Sequence, residues 1–380
     1  MRKVTFILGA CCALAFSVHL GAGQWTTTLV DGAGSTGWSP SIAIDGNDHP
    51  GIAYHSHSMA VPRYAYYDGS TWQLTTVPTS YGYHPGLAFD SNNHPGISCF
   101  GNDGFSSGLV YAHYDGSAWH TEIAEMGDHT GDLSSLALDK DGRPCISHVR
   151  TDTGDLRYAH YDGSSWQTST VDSNIGLAQA RIAVDSGGSP RIAYCHAKTG
   201  SYNVWCATYS GTSWSSSLVG PGAYVGFALD ADNFPHISYS GLGPGGPGAL
   251  RYTSFDGSQW HDELVETCAG VWSTSLCLDA LGQPHIAYWA ETGSPLTYGV
   301  RYASRVGGVW QFDSVVTLDT TSAWLSMALD SSGSPYIAYC DQSNPRLYVA
   351  TPVPEPGTLL LALSGLIGLG AFLRPWKRPG

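Results

Sequence analysis

Short apolar runs alternate with turn-forming clusters through most of the chain, and seven times the alternation repeats itself. An apolar run closes on Asp, a turn follows, Pro stands five residues after the Asp, and an Ile enters the next run. The Asp positions are 45, 90, 139, 185, 230, 279 and 330, spaced 45 to 51 residues apart. Inside a unit the hydrophobic period is two. In the third unit, Ser134-Ser135-Leu136-Ala137-Leu138 places Leu136 and Leu138 on one face and Ser135 and Ala137 on the other. After the Asp139 turn, Cys145-Ile146-Ser147-His148 repeats the alternation, and a third strand is predicted over 156–161. Asp162-Gly163-Ser164 then reads as a hairpin turn leading to a fourth strand over 166–171. A unit of four short strands cannot bury both faces alone, so this period predicts small sheets stacked around an axis, a seven-bladed β-propeller.

Two columns run through the repeats. Ile52, Ile97, Ile146, Ile192, Ile237, Ile286 and Ile337 occupy one position on strand two and are predicted core. Trp72, Trp119, Trp166, Trp214, Trp260 and Trp310 open strand four, but the seventh unit leaves the pattern after Leu347-Tyr348-Val349-Ala350 with no such strand. Gln24-Trp25-Thr26-Thr27-Thr28-Leu29-Val30 matches it at the front of the chain, and Trp25 precedes Asp45 by 20 residues, against 16 to 20 from each later Trp to its next Asp. The N-terminal strand is therefore predicted to complete the last blade and close the ring.

Composition agrees with an all-β, turn-rich domain: 42% apolar residues, 13% charged and 47 Gly. It adds two unusual ends. Residues 1–23 carry a basic start (Arg2, Lys3), an apolar stretch and the small residues Gly21-Ala22-Gly23, the layout of a secretory signal peptide. Leu8-Gly9-Ala10-Cys11 loosely resembles a lipoprotein cleavage box, but the apolar run continues past Cys11. At the other end Val353-Pro354-Glu355-Pro356 precedes an apolar segment, 358–373, and a basic tail, 374–380. This end, residues 352–380, resembles the PEP-CTERM sorting signal of Gram-negative bacteria. The resemblance implies a transmembrane helix over 358–373, recognition of Pro354, Glu355 and Pro356 by an exosortase-type enzyme, an inner-membrane precursor, and delivery to the outer surface or extracellular matrix. The propeller then occupies residues 24–351. Without the two ends, 12 basic residues face 30 acidic ones, which argues against nucleic acid or an anionic membrane surface as partner.

Seven cysteines lie in the propeller, several replacing the usual residue of their repeat position, such as Cys277 for Ala and Cys99 and Cys206 for Tyr. That scatter suits buried fillers better than a disulfide framework or a metal cluster.

One face of a propeller carries the uniform Asp turns and strand 3–4 hairpins, and the other carries segments of varied chemistry, including His55-Ser56-His57, Asn102-Asp103, Arg150-Thr151-Asp152, His196-Ala197-Lys198 and Trp289-Ala290-Glu291. Binding residues concentrate in such irregular loops on a rigid scaffold. Just before the inner strands on that face stand Trp38, Tyr83, His84, Asp132, Arg181, Tyr224, Trp272 and Trp324, aromatic and polar groups that could stack on sugar rings and hydrogen-bond hydroxyls. The bland alternative is that the aromatics plug the channel. The Asp turns lack a following bidentate acid and read as caps rather than calcium loops, and His55 and His57 have no third ligand, so no metal or other cofactor is expected.

The repeats also loosely resemble sialidase-like or BNR-type propellers, in which an Asp-containing hairpin leads into a Trp. The spacing differs: Gly163 follows Asp162 directly and Trp166 stands four after it, against two and five in the sialidase Asp box. Arg63, Arg157, Arg251 and Arg301 recur at one strand-three position, a signature of blade architecture rather than of a converging catalytic site. The expected function is non-catalytic binding of exopolysaccharide or a surface protein. The alternatives are a polysaccharide hydrolase or lyase using acids such as Asp132 and Glu291, and a purely structural envelope protein.

Overall fold

The computed structural model describes residues 24–353 except 103–105, 177–178, 197–201, 244–245, 293–296 and 319–322. The signal segment, Pro354 to Pro356, the apolar stretch and the basic tail lie outside the described residues. Among the described residues the regular structure is entirely β-strand, arranged as antiparallel sheets. Five sheets have four strands, and one of seven strands contains two further units sharing the long strand Trp214–Leu229. Its first half pairs with Asn203–Tyr209 as an outer strand, and its second half pairs with Pro235–Gly243 as the next inner strand. The third unit is typical, with strands Thr130–Leu138, Pro144–Arg150, Asp155–Tyr161 and Trp166–Asp172 in that order. All four contain the segments expected from the two-residue period.

The units form a propeller-like circuit. Each inner strand touches the next, and the first, Trp38–Ile44, touches both Tyr83–Phe89 and the last, Ala323–Leu329. The Ile column is fully buried. The strand Trp25–Asp31 pairs antiparallel with Leu347–Pro352, Trp25 lying opposite Pro352. A second contact fixes its place. Trp119, Trp166, Trp214 and Trp310 each meet the strand-three Tyr of the preceding unit edge-on, with centroids 5.2 to 5.8 Å apart, and Trp25 meets Tyr302 in the same way at 5.2 Å. Trp25 is thus the seventh member of the Trp column, although it stands first in sequence.

The Asp turns owe their uniformity to one carboxylate oxygen. In all seven, Asp Oδ1 accepts the N–H groups two and four residues on, as in Asp45 to Asn47 and His49 at 2.9 and 2.8 Å. The residue three after the Asp has a left-handed backbone in every unit, which is why that position holds only Asp, Asn or Gly: Asp48, Asn93, Gly142, Gly188, Asn233, Gly282 and Gly333. The turn carboxylates serve as caps, as their spacing suggests.

The strand-three arginines clamp neighbouring sheets. Arg63 pairs with Asp31, Arg157 with Glu125 (Nη2 to Oε1 2.7 Å) and Arg301 with Glu266 (Nη2 to Oε1 2.6 Å), each acid lying on the outer strand of the preceding unit. Buried tyrosines join them: Tyr54 OH donates to Asp31 at 2.7 Å and Tyr288 OH to Glu266. Arg251 instead pairs with Asp262 in its own sheet. The column is architecture, as its register implies. The seven cysteines carry free thiols, six of them buried, and burial pushes the thiols of Cys99, Cys145, Cys195 and Cys206 up to about 12.

Candidate functional site

Where the inner strands begin, their pairing is interrupted. Between Trp38 and Ser41, Tyr83 and Gly86, Asp132 and Ser135, and Ala223 and Gly226, two inner-strand residues face one on strand two, a β-bulge in each case. The first bulged residue has a left-handed backbone: Ser39 at φ 49°, His84 at 47°, Leu133 at 50° and Tyr224 at 55°. For side chains such as these the conformation costs about 1 to 2 kcal/mol. Strain of this kind gathers where side chains must be aimed, and here it recurs in four of the seven units around the channel mouth.

His84 is the hub of the mouth. It lines the channel cavity of about 190 Å³ together with Arg181 and Trp324. It shares a second cavity, about 280 Å³, with Asp132, Gln179, Tyr202, Tyr224 and Trp324, and a third, about 230 Å³, with Tyr83, Asp132 and His129. Six of the eight candidates therefore border one connected set of hollows. Trp38 and Trp272 do not line these cavities. Trp38 packs edge-on against His57 at 4.6 Å, within a cluster that includes His55 and Tyr83. Trp272 is 45% exposed and lies 6.2 Å from Tyr224 and 6.5 Å from Trp289, which stacks on Tyr298. An aromatic row thus leads outward from the mouth.

Gln179 was not singled out from the sequence, yet it stands six residues before its turn Asp, the column of His84, Tyr224 and Trp324. Tyr202 and His129 come from loops whose length and residues differ from unit to unit, so no repeat signal marked them.

The polar chemistry centres on one pair. His84 Nδ1 bonds Asp132 Oδ1, while the ring lies 5.5 Å from that of Trp324. Burial alone would raise the Asp132 carboxyl, but the His84 bond and charge, with the Leu133 N–H at 2.9 Å, hold it below the usual range. The arrangement can accept and donate hydrogen bonds to a sugar hydroxyl beside an indole that can stack on the ring.

His55 lies behind the mouth, 2% exposed, with Nδ1 2.8 Å from the Gly82 carbonyl oxygen. Burial, with His57 nearby, lowers its pKa from 6.5 to about 4. Because the folded value is depressed, the unfolded chain binds the proton first, and stability present above about pH 6.5 is lost as pH falls toward about 4. Urea midpoints at about pH 7.5 and about pH 4.5 should converge in His55→Gln relative to the parent, by at most about 3 kcal/mol at roughly 1.4 kcal/mol per unit. Parallel losses in both proteins would remove His55 from the acid response.

Comparison with known proteins bears on the C-terminal end and on the fold. Residues 352–378 match the PEP-CTERM protein-sorting motif. The chain carries a PEP-CTERM sorting motif. This motif implies export through a membrane-anchored precursor processed by an exosortase. No curated protein sequence matches the chain. Among solved structures, a polysaccharide lyase of a new family, an ulvan lyase, is similar with a TM-score of 0.58 and 13% identity over 85% of this chain and 95% of that one. A protein of unknown function from Dyadobacter fermentans is similar with a TM-score of 0.52 and 12% identity over 87% of this chain and 98% of its own. Both likenesses concern the fold.

Proposed function

We propose that the chain is a seven-bladed β-propeller, closed by its N-terminal strand, that is delivered to the outer surface or extracellular matrix of a Gram-negative bacterium. There it binds a polysaccharide chain, without catalysis, across the mouth of its central channel. The observation that carries the reading is the strained bulge shared by four units, which turns His84 and Tyr224 toward hollows shared with Trp324 and Gln179. An indole beside hydrogen-bonding groups suits a sugar ring and its hydroxyls. Trp324→Ala should weaken binding of a polysaccharide selected on a glycan array by about 1 to 3 kcal/mol, the scale for losing a central aromatic contact. Asn92→Ala, in a turn on the opposite face, should change nothing. Calorimetric titration reads both, and equal losses in the two variants would return the aromatics to the role of channel plug.

A second reading, a polysaccharide lyase or hydrolase, draws on the His84–Asp132 pair. Asp132 fixes the imidazole through Nδ1, which leaves Nε2 as the nitrogen able to take a proton in a cavity that Tyr224 also lines. Glu291, the other acid considered from sequence, does not border that cavity. Incubation of the array ligand with the protein decides between the readings: new reducing ends or unsaturated ends that disappear in His84→Ala would replace binding by catalysis.

A further inference from the structure

We infer that the central channel holds an oxyanion, a carboxylate or sulfate group, on Arg181. The site goes beyond the glycan reading and does not depend on it.

Arg181 stands four residues before its turn Asp, on the inner strand Ala180–Val184, and lines the channel cavity. The propeller carries 30 acidic residues against 12 basic ones, yet among the described residues no Asp or Glu borders this cavity, and Arg181 is the one Lys or Arg that does. Among the described residues the guanidinium has a single hydrogen bond, from Nη1 to the Ala180 carbonyl oxygen at 3.1 Å. Among the described residues it pairs with no carboxylate, whereas Arg63, Arg157, Arg251 and Arg301 all do. An arginine has five N–H donors, so most of its capacity faces the channel unused. Burial also pulls its pKa below the usual guanidinium value, which marks a charge short of solvent.

The same column supplies more donors. Ser41, Ser135, Ser275 and Ser326 border the cavity, and the Oγ of each accepts a backbone N–H of the next sheet, from Leu87, Ile182, Met327 and Ile42 at 3.0 to 3.3 Å. A hydroxyl that accepts in this way keeps its proton to donate. Among the described residues no acceptor takes those four protons. One cation and a set of O–H groups pointing into a channel without carboxylates form a site for a compact anion with several oxygens. The anion is either free in solution or the acid group of a sugar seated at the mouth.

The test compares the parent, Arg181→Gln and Arg181→Lys in a buffer free of oxyanions. In that buffer Arg181→Gln should melt at or above the parent temperature, because it removes an uncompensated charge. Added sodium sulfate, against sodium chloride of equal ionic strength, should raise the parent melting temperature most, that of Arg181→Lys less, and that of Arg181→Gln only by the general kosmotropic increment. Calorimetry with a sulfated oligosaccharide and its desulfated form separates the sources. Binding of the sulfated form that weakens roughly 10- to 100-fold in Arg181→Gln, with the desulfated form unaffected, assigns the anion to a sugar. Stabilisation by sulfate that is larger in the parent than in Arg181→Gln, without oligosaccharide binding, assigns the site to a free anion, so the site stands while the glycan reading falls. Equal responses of the parent and Arg181→Gln to both probes would overturn the site, even where a neutral glycan binds and Trp324→Ala abolishes that binding.

Discussion

A chain lacking residues 25–31 is expected to lose its cooperative unfolding transition, or to retain one lowered by more than about 5 kcal/mol. The deletion strips the ladder from Leu347–Pro352, leaving that strand as an open edge. It removes the Trp25–Tyr302 contact and the buried Val30. It also takes away Asp31, 2% exposed, which receives the Tyr54 hydroxyl, the Arg63 guanidinium and the Ala33 N–H. An unpaired buried arginine alone costs about 3 to 5 kcal/mol, and losing an aromatic contact in the core costs a similar amount. Adding a synthetic peptide of residues 24–32 should restore the transition, because the missing strand is held only by non-covalent pairing across the seam. Circular dichroism during urea unfolding reads both results. A deleted chain with the parental midpoint would mean that the circuit does not depend on this strand.

That seam was legible in the sequence because it depends on features each unit repeats. The Asp cap, the left-handed residue three positions later, the buried Ile and the edge-on Trp are each set by local backbone geometry, so identical geometry left identical letters. A Trp strand missing at one end and present at the other could be read as a closure. The mouth was less legible. Its candidates came from three columns: Trp38, Tyr83, Asp132 and Trp272 seven residues before the turn Asp, His84, Tyr224 and Trp324 six before, and Arg181 four before. Simple alternation puts the first column on the opposite side from the other two. The bulges break the alternation, bringing Asp132 beside His84, and in the sixth unit they fall between Val271 and Ser273, which leaves Trp272 half exposed and Ser273 buried. A one-residue slip of this kind has no signature in a two-residue pattern. Arg181 posed the opposite difficulty: its column was visible as a row of serines and glycines, but the absence of a counter-ion can be seen only in three dimensions.

The clamp between the fifth and sixth units should be the most sensitive point away from the seam. Glu266 accepts two hydrogen bonds from Arg301, Nε to Oε2 at 3.1 Å and Nη2 to Oε1 at 2.6 Å, and a third from the hydroxyl of the fully buried Tyr288. Glu266→Ala strands a largely buried guanidinium and a phenol together, and is expected to cost about 3 to 5 kcal/mol in urea unfolding. Glu263, three residues earlier on the same strand, supplies the contrast. It meets Arg305 at 2.9 Å, but both side chains are about one-third exposed, so Glu263→Ala should cost no more than about 1 kcal/mol. The difference between the two variants lies in what water can do for the cation left behind. Around Arg305 it can hydrate the charge, whereas Arg301 is hemmed in by Tyr288 and the sheet interface. Replacing the pair together, as Glu266→Leu with Arg301→Met, should therefore recover much of the loss, because no charge remains to be solvated. Equal midpoints for Glu266→Ala and Glu263→Ala would mean that the sheets are held by their apolar faces alone and that the arginine clamps add nothing.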